Sequence, residues 1–84
     1  MKLYLLRPID ENDVGSLDNP WEPWYDKAFG FVVRAKDEET ARKLASEKCG
    51  DEKANAWLDA KYSTCDELTS NGEAKVVIRD FASA

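Results

Sequence analysis

The carboxylates of residues 9–26 are the groups in this sequence best placed to do chemistry. The stretch IDENDVGSLDNPWEPWYD holds Asp10, Glu11, Asp13, Asp18, Glu22 and Asp26, with no lysine or arginine among them. It carries −6 within an 84-residue chain whose net charge is −5, so the rest of the molecule is almost neutral. Trp21, Trp24 and Tyr25 are interleaved with the last of these acids. Carboxylates concentrated in this way can occupy an Arg/Lys surface that otherwise holds phosphates, and long-range attraction speeds the encounter. Trp and Tyr rings beside them are the residue types that anchor interfaces. The six acids and three rings form the expected partner-binding set, directed at a protein with a basic surface.

Other chemistries are disfavoured by what the chain lacks. It has no histidine, which removes the commonest general base and metal ligand together. Asp10, Glu11 and Asp13 resemble part of a calcium loop, but the glycine and terminal glutamate that such a loop needs are missing at the right spacing. The glycines are isolated and build no phosphate loop. Cys49 and Cys65 fit no redox or metal spacing and are expected as reduced, largely buried thiols. Carboxylates flanking the rings would repel phosphate, so direct nucleic-acid binding is not expected. The expectation is a non-enzymatic protein with no cofactor and no metal. No apolar run reaches the roughly 20 residues of a membrane span and no signal-peptide pattern is present, which points to a cytoplasmic protein.

The elements that must position these groups can be read from periodicity. KLYLLRP, residues 2–8, is apolar on both faces and ends at a proline, as a covered central strand would. Residues 9–27 form a long loop, rich in Asn, Asp, Gly and Pro. AFGFVVRAK, residues 28–36, alternates Phe29, Phe31, Val33 and Ala35 onto one face, so both phenylalanines are expected in the core. Asp37 should cap a helix through the Thr40 N–H, and Gly50 should close it. Ala41, Leu44, Ala45 and Cys49 make a narrow stripe on that helix, so large rings from elsewhere must complete the core. A short helical turn within residues 51–59 would place Trp57 over the helix end. Residues 62–68 and 73–81 read as strands joined across Asn71-Gly72, a hairpin signal. The fold class is α+β: one small domain with a mostly antiparallel four-stranded sheet, order β-β-α-β-β, and one main helix packed on it.

The pairing of MKLYLLRP with FGFVVRAKDEETARKLASE resembles an arrangement found in small bacterial and phage proteins. Phe31, Val33 and Ala35 form its second strand, and Asp37, Ala41, Arg42 and Ala45 the helix that follows. Several anti-CRISPR proteins, including type I-E and type I-F inhibitors, are similar in length and in this β-β-α opening. The resemblance covers about half the chain and transfers no site residue. It implies a phage-encoded inhibitor that occludes the nucleic-acid-binding surface of a defence complex. Two alternatives stay open: a housekeeping bacterial domain whose aromatic loop is structural, and a small ligand-binding protein.

Overall fold

The computed structural model describes residues 1–9, 20–21 and 26–80. Five elements follow in order: β1 (Lys2–Pro8), β2 (Phe31–Ala35), α1 (Glu38–Ser46), α2 (Asn55–Leu58) and β3 (Ser63–Leu68). Among the described residues the sheet has three strands in the order β2-β1-β3, antiparallel throughout. The α+β class and the central place of β1 follow the sequence pattern. The fourth strand does not: residues 73–80 adopt no strand, so the expected β-β-α-β-β order is replaced by β-β-α-α-β.

One face of β1 builds the core. Tyr4 and Leu6 point toward the helices and join Ala35, Ala41, Ala45, Ala56 and two tryptophans in one cluster. Trp57 sits at its centre, fully buried, and does not merely cover a helix end. Its ring meets Trp21 edge-on at 4.9 Å and Phe31 edge-on at 4.8 Å, a geometry that aromatic quadrupoles favour. The narrow alanine stripe of α1 lets the helix lie close to the sheet, and these three rings fill what the alanines leave.

Helix α1 starts where expected. The Asp37 carboxylate accepts the Thr40 N–H at 2.9 Å, and Glu38 and Glu39 occupy the first turn. It ends earlier than Gly50, with Glu47 as C-cap. The Glu47 N–H makes the last regular bond, to the Lys43 carbonyl that the Ser46 hydroxyl also reaches, and the Lys48 N–H then turns to the Ala45 carbonyl, the tighter pattern of a final turn. The buried face also differs from the stripe in the sequence. Leu44 is 40% exposed, whereas Arg42 is buried.

Arg42 is fixed by four hydrogen bonds. Its Nε donates to Glu38 at 2.8 Å, Nη1 to the Trp57 carbonyl at 3.0 Å and to Ser63 Oγ at 2.9 Å, and Nη2 to the Ser63 carbonyl at 3.0 Å. One guanidinium therefore ties α1 to the end of α2 and the first residue of β3. A buried cation is tolerated because its donors are paired.

Cys49 and Cys65 are both free and half-buried against the core. No helix among the described residues is long and apolar enough to cross a membrane.

Candidate protein-binding site

The acidic segment leaves and re-enters the fold at a single atom. Ile9 donates its N–H to the Tyr62 carbonyl at 2.9 Å, and Trp21 donates its Nε1–H to the same oxygen at 2.9 Å. Asp10, Glu11, Asp13 and Asp18 are thus tethered by connectivity between two fixed points at the start of β3. Those four acids, and Glu22, Trp24 and Tyr25, lie outside the described residues.

Of the expected binding set, Trp21 and Asp26 are described. Trp21 is 3% exposed and belongs to the core, so it is not available as a contact ring. The reason is the alanine stripe: without Trp21 the edge of Trp57 would face an unfilled space. Asp26 is exposed.

The exit of the segment is held as firmly as its entry. Lys27 Nζ donates to the Trp21 carbonyl at 3.3 Å. The Asp26 carbonyl accepts the Asp51 N–H at 2.5 Å, and Asp51 Oδ2 accepts the Asp26 N–H at 3.3 Å. This backbone passes so close to Gly50 that a side chain there would collide with the Asp26 carbonyl, which accounts for glycine at that position.

Glu52, which the sequence pattern did not single out, organises the same junction. Its buried carboxylate accepts from Trp57 Nε1 at 2.7 Å, the Gly50 N–H at 2.9 Å and the Ala28 N–H at 3.3 Å. Three N–H donors supply the solvation that water would give a carboxylate. The connection after α1, the core tryptophan and the segment exit are thereby locked to one side chain. No helical or strand periodicity marks Glu52. Its proximity in sequence to Gly50 and Trp57 was the available signal.

Phe29 reverses its expected role. It is 56% exposed, with Lys27 Nζ 5.2 Å from the ring centroid, and lies just beyond the fixed exit. Along the chain from the six acids, it is the ring the described structure presents to solvent. Burial, followed by the nearby Glu38 charge, pushes the Cys65 thiol above its ordinary pKa, which keeps it protonated and unreactive at neutral pH.

The chain matches no known protein family, no curated protein and no solved structure.

Proposed function

We propose that this chain is a non-enzymatic protein-binding module that presents its acidic segment to a basic protein surface. The observation that carries this is the shared carbonyl of Tyr62, which receives both Ile9 and Trp21. The loop between them carries four of the six acids, and a charged loop pinned at both ends approaches a partner from a fixed base and loses less conformational freedom on binding than a free tail. Charge supplies steering, and the exposed Phe29 takes the anchoring part that the buried Trp21 cannot.

The finer form of the proposal is a cytoplasmic, phage-encoded inhibitor whose partner is a nucleic-acid-binding defence complex. It rests on the sequence resemblance to anti-CRISPR proteins alone. The rival, a housekeeping domain whose aromatic segment is a core plug, draws support from the burial of Trp21. The two differ in what the carboxylates do.

Paired affinity capture from cell extract separates them. The baits are the native chain and a variant with Asn or Gln at Asp10, Glu11, Asp13, Asp18, Glu22 and Asp26. The proposal expects a basic protein on the native bait that is lost from the variant and eluted by moderate salt, since exposed charges act within a Debye length of about 8–10 Å. Equal capture on both baits at low and high salt would make the acids a solubility feature.

A further inference from the structure

The β2 side of the molecule leaves an apolar side chain uncovered in each of its two layers. In the sheet, Val32 is 57% exposed, and on the helix Leu44 is 40% exposed. The two share one flank. Arg42 reaches Ser63 on β3, and Leu44 lies two residues, about 200°, further round α1, so it faces away from β3. The sheet order β2-β1-β3 makes that the β2 side. They also share one level. Val32 is three residues, about 10 Å, before the end of β2. A two-residue link then turns the chain back, and Leu44 is six residues, about 9 Å, into α1.

The strand edge at this flank is open. Ile9 donates its N–H to the Tyr62 carbonyl, so every second residue of β1 counted back from Ile9 turns toward β3. The others bond β2 through the pairs Lys2–Ala35, Tyr4–Val33 and Leu6–Phe31. Val32 and Arg34 therefore turn their N–H and C=O groups away from the sheet. On that side no backbone–backbone hydrogen bond among the described residues reaches them. An open edge flanked by apolar side chains is a template for a further strand. β3, by contrast, presents no exposed large apolar side chain and carries Asp66 and Glu67.

We infer that two copies of the chain associate through this flank, β2 pairing antiparallel with β2 of the second copy about a two-fold axis at Val32. An added peptide strand would cover Val32 but not Leu44, which stands in the helix layer. A second copy carries both layers at the same spacing and covers both. With Val32 opposite its own counterpart, Phe31 faces Val33 of the other copy, and Arg34 faces its Gly30. The two Arg34 side chains then lie four residues apart, about 13 Å. Arg7 and Asp80 line the cavity beside Gly30, one charge of each sign, so the incoming Arg34 meets no net charge. In the helix layer Leu44 meets Leu44, and the antiparallel helices bring Lys48 to Thr40, so like charges do not oppose.

Sedimentation velocity of the full chain over a wide concentration range tests this, and a reversible dimer is expected. Val32→Lys and Val32→Glu each set like charges face to face at the axis, and each should weaken the dimer on the order of tenfold or more. Val32 is mostly in water, so the circular dichroism of both variants should match that of the native chain. An equimolar mixture of the two should recover a mixed dimer, because only a residue that meets its own counterpart gains from opposite charges. Leu44→Gln should weaken association through the helix layer, a reading independent of the strand. Asp66→Lys, on β3, should leave the dimer unchanged. A chain that stays monomeric at every concentration would overturn the inference. So would a dimer insensitive to Val32 and Leu44, a mixture with no preference for the mixed species, or loss of the dimer in Asp66→Lys.

Discussion

Trp21 Nε1 and the backbone carbonyl of Tyr62 lie 2.9 Å apart, joining residues 41 positions distant in sequence. The same carbonyl accepts the Ile9 N–H. One oxygen therefore fixes both Ile9, where the acidic segment begins, and the buried Trp21 at the edge of the core.

Substitutions at Trp21 should separate the ring from its hydrogen bond. Trp21→Phe keeps much of the packing against Trp57 and leaves the Tyr62 carbonyl satisfied by Ile9, so the cost should be about 0.5–1.5 kcal/mol. Trp21→Ala empties a buried site and should cost about 3–5 kcal/mol. Urea unfolding followed by far-ultraviolet circular dichroism measures both. Equal, small losses for the two variants would mean that Trp21 is not a core residue.

Arg42 should be the least replaceable polar residue of the described structure. Arg42→Ala strands the Ser63 carbonyl in a buried site and leaves the Trp57 carbonyl with the Ser63 hydroxyl at 3.4 Å, and a loss of about 3–5 kcal/mol is expected. Arg42→Lys keeps the charge but cannot reproduce a fork that serves three residues, so it should recover less than half of that loss. Glu38→Gln should cost less than about 1 kcal/mol, because Glu38 is half-exposed. Denaturant titration of the three variants gives the order. A lysine variant as stable as the native chain would show the fork to be dispensable.

The phenylalanines test how far alternation can be trusted. Phe31 packs on Trp57, and Phe31→Ala should cost about 3 kcal/mol or more. Phe29→Ala should cost under about 1 kcal/mol, because its ring is mostly in water. Melting temperatures decide between this and two core rings. Equal losses would restore Phe29 to the core.

The same pair explains what the sequence could and could not convey. Alternation runs unbroken from Phe29 to Ala35, yet the strand begins at Phe31. Extending the observed register from Leu6–Phe31 sets Pro8 opposite Phe29. Ile9 donates toward β3, so Pro8 faces β2, where it has no N–H to give. The boundary was thus written in Pro8, a residue 21 positions away, and not in the strand itself. β1, the Asp37 cap and the need for rings to fill the alanine stripe are local patterns and were legible. Arg42 and Glu52 were not, because a buried polar residue is defined by partners that periodicity does not name. Residues 73–80 have a strand's alternation yet adopt no strand, because pairing is decided by tertiary packing that alternation does not report.

Asp37 gives the fold a pH-dependent contribution whose sign is fixed by its hydrogen bonds. Thr40 holds the Asp37 carboxyl below its ordinary pKa, with the side-chain bond the largest cause and the backbone bond next. A group depressed in the folded state stabilises the fold above its unfolded pKa, which for aspartate is about 3.9. That contribution should be complete at neutral pH and should fade as pH falls through the lower, folded value. The sense is physical: protonation removes the charge that draws the Thr40 N–H and complements the helix N-terminus. Asp37→Asn can still cap α1 but does not titrate. Its unfolding free energy should therefore fall less steeply than that of the native chain between about pH 5 and pH 2, and the two curves should converge in acid. Thr40→Val keeps the backbone donor and removes the hydroxyl, so it should retain part of the native pH dependence. Parallel curves for the native chain and Asp37→Asn would show that the cap carries none of the acid sensitivity, which would then belong to other carboxylates of the fold.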